Sequence, residues 1–492
     1  MNTSTLPVAV IGAGPVGLAA AAHLIERGET FVILESGASV GANVRQWAHV
    51  RMFSPWEYTV DGATVRLLEA HGWRMPPKDE LPTGRELVEL YMQPFAALPE
   101  VSPHLHLNAR VIAVSRRHVD KMKDSGRETA PFVLHIACAN GDEALIEARA
   151  VIDASGTWNQ PNPVGANGLP AVGERRYADR IAYGIPDILS SQRARYADKR
   201  VLVVGSGHSA INALLDLVAL AGDAPGTSIV WAMRGDNLRR VYGGETDDAL
   251  PARGQLGSRI RSAVEAGVIE IVAPFRIREI AAADDGLNVT GETESGVKTV
   301  RVDEIIVATG ARPDLDMLRE LRLDLDPSLE STRQLAPMID PNIHSCGTVP
   351  PHGEAELRQP EKDFYIVGMK SYGRAPTFLL ATGYEQARSV VAGLVGDWEA
   401  ARDVRLTLPE TGVCSSDGVD GGACCSPSSA STSAQPALLS LASIPVKGIA
   451  LTPILVQPLE RVSEATTAAC CDDTCCADGV RLETCGCDTN CC

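Results

Sequence analysis

Twice along this chain an apolar strand runs into a glycine-punctuated turn and out into an Ala/Leu-rich helix, and few folds accommodate that order. The first copy is Val8-Ala-Val-Ile-Gly-Ala-Gly-Pro-Val-Gly17, followed by a helix predicted to about Arg27 and a second strand Phe31-Val-Ile-Leu-Glu35. Gly12 serves the tight turn, Gly14 lets backbone come close to a pyrophosphate, and Gly17 lets helix pack on strand. The helix N-terminus faces the phosphates, and Glu35 stands where a carboxylate accepts from ribose hydroxyls. Strand, turn, helix, strand and acid in sequence make a dinucleotide site the reading of this unit.

The second copy is Arg200-Val-Leu-Val-Val-Gly-Ser-Gly-His-Ser-Ala210, with a helix over Ile211 to Ala221 and a strand from Ser228 to Arg234. Gly205, Gly207 and Ser209 form its turn, and Ala210 takes the third glycine's place. Where the first unit ends its second strand in Glu35, this one ends in Arg234. A guanidinium there suits a 2′-phosphate, so the site is expected to take NADPH, with Arg239 and Arg240 as alternative contacts. His208, inside the turn, reads as a cap or packing residue.

The chain has 492 residues, enough for about three domains. Its formal charge of −17 disfavours nucleic acid as a partner. Leu6 to Ile25 would catch a hydropathy scan, but its glycines and Pro15 divide it into strand, turn and helix, so no membrane span is expected. With no export-type leader apparent at the start, the expected location is the cytoplasm.

Short Val/Ile-rich runs alternate with amphipathic segments from residue 6 to about 407, the pattern of an α/β protein. From about Gly412 to Pro436 the composition turns to Ser, Gly, Ala and Cys, as expected of a largely disordered tail. All but Cys138 and Cys346 of the 13 cysteines lie in this extension. Cys470-Cys471, Cys475-Cys476, Cys485-Gly-Cys487 and Cys491-Cys492 pair too closely for unstrained disulfides and match no zinc-finger spacing. They are expected to bind a thiophilic metal or metalloid, as a delivery arm or a thiol buffer.

Two further segments, Val151-Ile-Asp-Ala-Ser-Gly-Thr-Trp158 and Ile305-Ile-Val-Ala-Thr-Gly-Ala-Arg-Pro313, read as strands crossing close to a nucleotide. With the two glycine units they resemble the two-dinucleotide-binding-domain flavoproteins over residues 6 to 400. That resemblance implies an FAD domain in two parts, 1–190 and 326–407, an inserted NADPH domain at 191–325, and a cysteine-rich extension at 408–492. The return to the FAD domain is expected at Phe364-Tyr-Ile-Val-Gly-Met-Lys-Ser-Tyr-Gly-Arg-Ala-Pro376, followed by a helix over Thr377 to Val395. Met369 replaces the aspartate common in the family. Trp47, Gly156, Gly310, Gly368 and Arg374 complete the residues expected at the cofactors.

After Glu35 comes Gly41-Ala-Asn-Val-Arg-Gln-Trp47, with no cysteine pair to carry electrons away from a flavin. Oxygen is then the simplest acceptor. Leu81 to Tyr91, Ala154 to Pro163 and the Gly-Ser-Gly-His-Ser-Ala turn resemble flavin-containing monooxygenases, although the family's aromatic-Gly-His-Tyr fingerprint is missing. Val50-Arg-Met-Phe-Ser-Pro-Trp56, His344-Ser-Cys-Gly-Thr-Val-Pro-Pro-His-Gly353 and Gly368 to Arg374 resemble the arsenical flavin monooxygenases of bacterial resistance operons. This implies NADPH, oxygen and a hydroperoxyflavin attacked by a trivalent arsenical, with no general base required. Cys346 is either a substrate thiol ligand or a small buried hydrophobe. A metal reductase resembling mercuric reductase and a metal-sequestering protein with a vestigial flavin body are the competing readings.

Overall fold

A computed structural model describes residues 5–245, 248, 250–343, 349–376 and 378–406. The chain begins with β1 (Val8–Ile11), α1 (Pro15–Glu26), β2 (Phe31–Leu34) and the short β3 (Leu105–His106). Every residue of β1 and β2 is buried, as expected of parallel strands covered on both faces. Pro15 opens α1 without losing a needed N–H, and Gly28, at φ +69°, follows its end.

An antiparallel sheet follows, of β4 (Ala109–Arg116), β5 (Phe132–Cys138) and β6 (Glu143–Ala148), before β7 (Ala150–Asp153) returns to pair with β1. The second parallel sheet takes β8 (Ile181–Tyr183), β9 (Arg200–Val204), β10 (Ser228–Ala232) and β11 (Ile269–Val272), with α2 (His208–Asp223) and α3 (Pro251–Glu265) beside it. Its edge strand β8 thus lies upstream of the boundary expected at 190/191. A second antiparallel sheet, β12 (Arg276–Ala282), β13 (Leu287–Thr293) and β14 (Gly296–Val302), precedes β15 (Glu304–Val307), which pairs with β9. Finally β16 (Phe364–Ile366) pairs with β7, and α4 (Leu380–Leu394) packs along α1.

The first sheet therefore runs β16-β7-β1-β2-β3 and the second β11-β10-β9-β15-β8. Each is a middle layer, with helices on one face and an antiparallel sheet on the other, and apolar clusters fill both gaps. The α/β reading with two Rossmann-like sheets, the first discontinuous in sequence, is what the chain adopts. No helix among the described residues is long and apolar enough to cross a membrane.

Candidate functional site

The first glycine turn leaves β1 with Gly12 at φ +99°, and a Cβ there would lie 2.9 Å from the Ala154 carbonyl oxygen. A Cβ at Gly17 would lie 2.0 Å from the Gly12 oxygen, so α1 abuts the turn only because Gly17 has no side chain. Gly14 is different: nothing lies within 4 Å of a Cβ built on it. Its open side belongs to a cleft of about 310 Å³ along the ends of β1, β2 and β7. Glu35 lines the cleft, its Oε2 accepting from Ala13 N at 2.8 Å and its Oε1 from Gly37 N at 2.7 Å.

The rest of the wall comes from distant segments: Gly41 to Val44, Ala154 to Gln160, and Gly368 to Lys370. Gly156 and Gly368, at φ +71° each, line it where a side chain would be strained. This cradle fits FAD: a backbone face open at Gly14, a helix N-terminus behind it, and an acid for the ribose. Gly12, Gly14, Glu35, Gly156 and Gly368 would hold the cofactor there.

Two expected contacts lie elsewhere. Trp47 is not in the cleft wall; its ring packs against Gly84, where a Cβ would come within 2.7 Å of it. The tryptophan at the cleft is Trp158, which donates from Nε1 to Gln46 Oε1 at 2.8 Å. Arg374 also stays outside the wall, in an ion pair with Glu330 at 2.7 Å. Lys370, four residues earlier, is a lining residue that sequence reasoning passed over; its side chain is fully buried in an ion pair with Asp153.

A polar chain fixes the Gly368 turn from behind. Gly368 N donates to Gln386 Oε1 at 2.8 Å, so the amide nitrogen of Gln386 faces Ser371 Oγ and His352 Nε2, both at 2.9 Å. His352 Nε2 must then accept, and its Nδ1 donates to the Pro350 carbonyl at 3.0 Å. Burial, partly offset by that carbonyl and by Glu356, holds the imidazole pKa below its ordinary value. A histidine neutral in the folded state contributes stability that is complete above the ordinary pKa of about 6.5 and is lost as pH falls below it. FAD release from the loaded protein should therefore quicken several-fold between about pH 7.5 and 5.5. Flavin fluorescence measures it, and His352→Asn should flatten the profile.

In the second turn a Cβ at Gly205, which has φ +133°, would lie 2.3 Å from the Ala308 oxygen, whereas Gly207 is open. Gly207 precedes α2, a helix of 16 residues, and Ser209 lies half-buried in its first turn. The ring of His208 packs on Phe53 with centroids 5.3 Å apart. Crowding by neighbouring groups, then the nearby Arg253, lowers its pKa from the ordinary value, with Asp248 opposing, although the ring is solvent-exposed. Arg234 is exposed just beyond β10, its nearest bond a 3.3 Å contact to the Ala166 oxygen. Gly310, at φ +82°, accepts from Asn162 N at 2.9 Å, which ties the two crossover segments together.

Cys138, half-buried on β5, is the only cysteine among the described residues and is not in the cleft wall. Cys346 and the expected metal ligands Cys470, Cys471, Cys475, Cys476, Cys485, Cys487, Cys491 and Cys492 lie outside the described residues. No metal-binding cluster occurs among those described.

A family model described as pyridine nucleotide-disulphide oxidoreductase matches residues 9–347. An NAD(P)H sulfur oxidoreductase (CoA-dependent) from Pyrococcus abyssi (strain GE5 / Orsay) is 24% identical over 304 residues, covering 60% of this chain and 56% of that protein. The chain thus spans little more than half the length of this curated relative. Among solved structures, a bacillithiol disulfide reductase from Bacillus cereus aligns at a TM-score of 0.59 and 18% identity, covering 80% of this chain and 99% of that one. A cadaverine monooxygenase of desferrioxamine biosynthesis from Erwinia amylovora, solved with FAD bound, aligns at 0.56 and 13% identity, covering 84% and 99%. An ornithine hydroxylase from Pseudomonas aeruginosa aligns at 0.54 and 15%, covering 80% and 99%. Likeness at these identities is one of fold, and both reductases and monooxygenases share it.

Proposed function

The chain belongs to the pyridine nucleotide-disulphide oxidoreductase family, and from that premise we propose that it is an NADPH-dependent FAD monooxygenase acting on a soft nucleophile, specifically a trivalent arsenical. It is an FAD-dependent oxidoreductase whose reductant is NADPH. The observation that favours oxygen as acceptor is that no cysteine lines the cleft among the described residues. Before residue 414 the chain has only Cys138 and Cys346; Cys138 sits on β5 and is not in the cleft wall, and Cys346 lies outside the described residues.

Bound in the first cleft, FAD would supply two-electron chemistry, taking hydride from NADPH and passing electrons to oxygen. The protein's task is to hold and to exclude. Gly14 and the start of α1 receive the pyrophosphate, and Glu35 fixes the adenosine ribose. Val44, Met369, Phe378 and Leu380 give the wall apolar surface that keeps bulk water from the reacting centre. Gly207, Ser209 and the N-terminus of α2 receive NADPH, with Arg234 toward its 2′-phosphate. One oxygen atom of O2 goes to the arsenic lone pair and the other leaves as water, with hydride from NADPH and a proton from solvent. The cysteines of the extension suit the same thiophilic substrate, which they would bind and present.

The test is NADPH and oxygen consumption by the FAD-loaded protein with and without methylarsenite or arsenite, with the arsenic product identified by oxidation state. Coupled oxygen uptake and a pentavalent product are expected. Anaerobic NADPH oxidation accompanied by reduction of a metal ion or disulfide would overturn the reading in favour of a reductase. NADPH turnover by a variant ending at residue 406 excludes a purely sequestering role. In the same assay Arg234→Glu should raise the KM for NADPH about tenfold or more while leaving NADH nearly unaffected.

A further inference from the structure

Of the six tryptophans in the chain, one stands in the wall of the first cleft. Trp47, Trp56 and Trp73 join the apolar cluster around α1, and Trp231 joins the one around α2. Trp398 carries the Arg358 guanidinium over its ring. Trp158 belongs to none of the apolar clusters, although it is half-buried. Its indole fills no core, so its place is explained by what its two ends touch.

One end is bound to the first cleft, because Nε1 donates to Gln46, two residues after the lining turn Gly41 to Val44. The other end faces Gly184, the residue that follows β8 in the second sheet. A Cβ there would come within 3.1 Å of Trp158 Cη2 and 3.3 Å of Cζ2, so the ring reaches this close only because Gly184 has no side chain. Gly184 N donates to the Val307 oxygen at 2.9 Å, and the next residue, Ala308, is the one whose oxygen abuts Gly205 in the second nucleotide turn. The junction of the two sheets is braced nearby. Asn162 Nδ2 donates to the Thr309 oxygen at 3.0 Å, Thr309 Oγ1 donates to the Asn162 oxygen at 2.9 Å, and Arg312 Nε donates to Asn162 Oδ1 at 3.0 Å. These bonds fix where the sheets join and leave the tilt about that junction to contacts on the cleft side. Contacts there include Trp158 on Gly184 and Phe53 on His208.

We infer that Trp158 is a positioning residue for hydride transfer: its indole is the spacer that sets how the second nucleotide turn stands over the first cleft. The inference rests on the proposed reduction of FAD by NADPH. In that step the dihydronicotinamide gives up one hydrogen with the electron pair of its C–H bond, and FAD is reduced by them; Trp158 exchanges neither proton nor electron. Transfer requires the two reacting atoms to be held about 3–3.5 Å apart and aligned, so a small change of tilt slows it without releasing either nucleotide.

The test is anaerobic stopped-flow reduction of the FAD-loaded full chain by NADPH, with FAD and NADPH titrations beside it. A second readout is the long-wavelength charge-transfer absorbance that a nicotinamide stacked on a flavin produces. Trp158→Ala should lower the limiting reduction rate about 10- to 100-fold and weaken the charge-transfer band, while Tm and both nucleotide affinities change far less. Trp158→Phe, which keeps a flat ring, should recover part of both. Gly184→Ala adds a methyl against the indole and also strains a residue at φ +86°. That strain is the same whichever residue stands at 158, so a cycle of Gly184→Ala with Trp158→Ala isolates the contact. Gly184→Ala should slow reduction more in wild type than in the Trp158→Ala background. An unchanged rate and band in Trp158→Ala, a loss accounted for by weaker FAD binding, or additive effects in the cycle would make the indole a piece of cleft wall and overturn the inference. A wild type that binds FAD but is not reduced by NADPH would instead remove the reading on which the inference rests.

Discussion

Valine at Gly14 will give a folded protein that no longer retains FAD, whereas alanine at Gly17 will give little folded protein at all. Gly14 has φ −78° and ψ 179°, extended backbone that any residue adopts, and its Cβ direction is empty to 4 Å. As the residue before α1, it loses less than about 1 kcal/mol on replacement by valine. The new side chain occupies the space a pyrophosphate needs. Losing two charge-assisted N–H contacts at about 1.5–3 kcal/mol each weakens FAD by about 10²- to 10⁴-fold. At Gly17 the added methyl would sit 2.0 Å from a backbone oxygen, and neither strand nor helix can yield. Apo-protein melting and FAD titration of the two variants separate the outcomes. Equal FAD affinity in Gly14→Val and wild type would disprove the placement of the pyrophosphate.

A second large effect on stability is expected far from either nucleotide turn, at Glu361. Its carboxylate is shared by Arg116 at 2.8 Å and Arg127 at 2.6 Å, and it accepts from Arg322 N at 3.0 Å. Burial works to raise the Glu361 pKa, but the Arg127 bond, the Arg322 amide and Arg116 together hold it below the ordinary carboxylate value. The face of the Phe132 ring supports the Arg116 guanidinium at 3.6 Å. Glu361→Ala leaves two buried guanidiniums with no counter-charge and should cost about 3–5 kcal/mol. A melting temperature unchanged within a degree or so would show that solvent reaches the arginines, contrary to their burial here. The sign of the pH dependence follows from the lowered pKa. The pair's contribution is complete above the ordinary glutamate value of about 4.3 and disappears as pH falls through the lower folded value.

Gly12, Gly14, Gly17 and Glu35 were legible because the motif itself is local, contained in one strand, one helix and the next strand, even though the Ala154 crossover also presses on Gly12. Gly205 and Gly207 were legible for the same reason. Trp47 was misplaced because the sequence marks it only as an aromatic shortly after the first unit, and its ring turned to cover Gly84 instead. Trp158 follows the small residues of a crossover, and that position was a usable signal. Lys370 could not be read in advance, because its meaning depends on Asp153, more than two hundred residues earlier in the chain. The helix expected from Thr377 begins at Leu380, a shift of the size that end fraying produces.

The order of the first sheet also has a consequence for how the protein comes into being. Its edge strand β16 is made last, and Gly368 and Lys370 follow directly behind it. On a ribosome adding about 5–20 residues per second, roughly 200 residues separate β7 from β16, so the half-built sheet waits about 10–40 s for its last strand. During that interval the β7 edge offers unpaired backbone groups to any neighbouring chain. The second sheet, closed by β15 before β16 emerges, shortens the wait in space if not in time. As a folded insert it brings two distant ends of chain together and lowers the entropy cost of the final pairing. Nascent chains arrested before residue 364 should accordingly be the aggregation-prone species, and FAD can be captured only after the chain has passed Lys370.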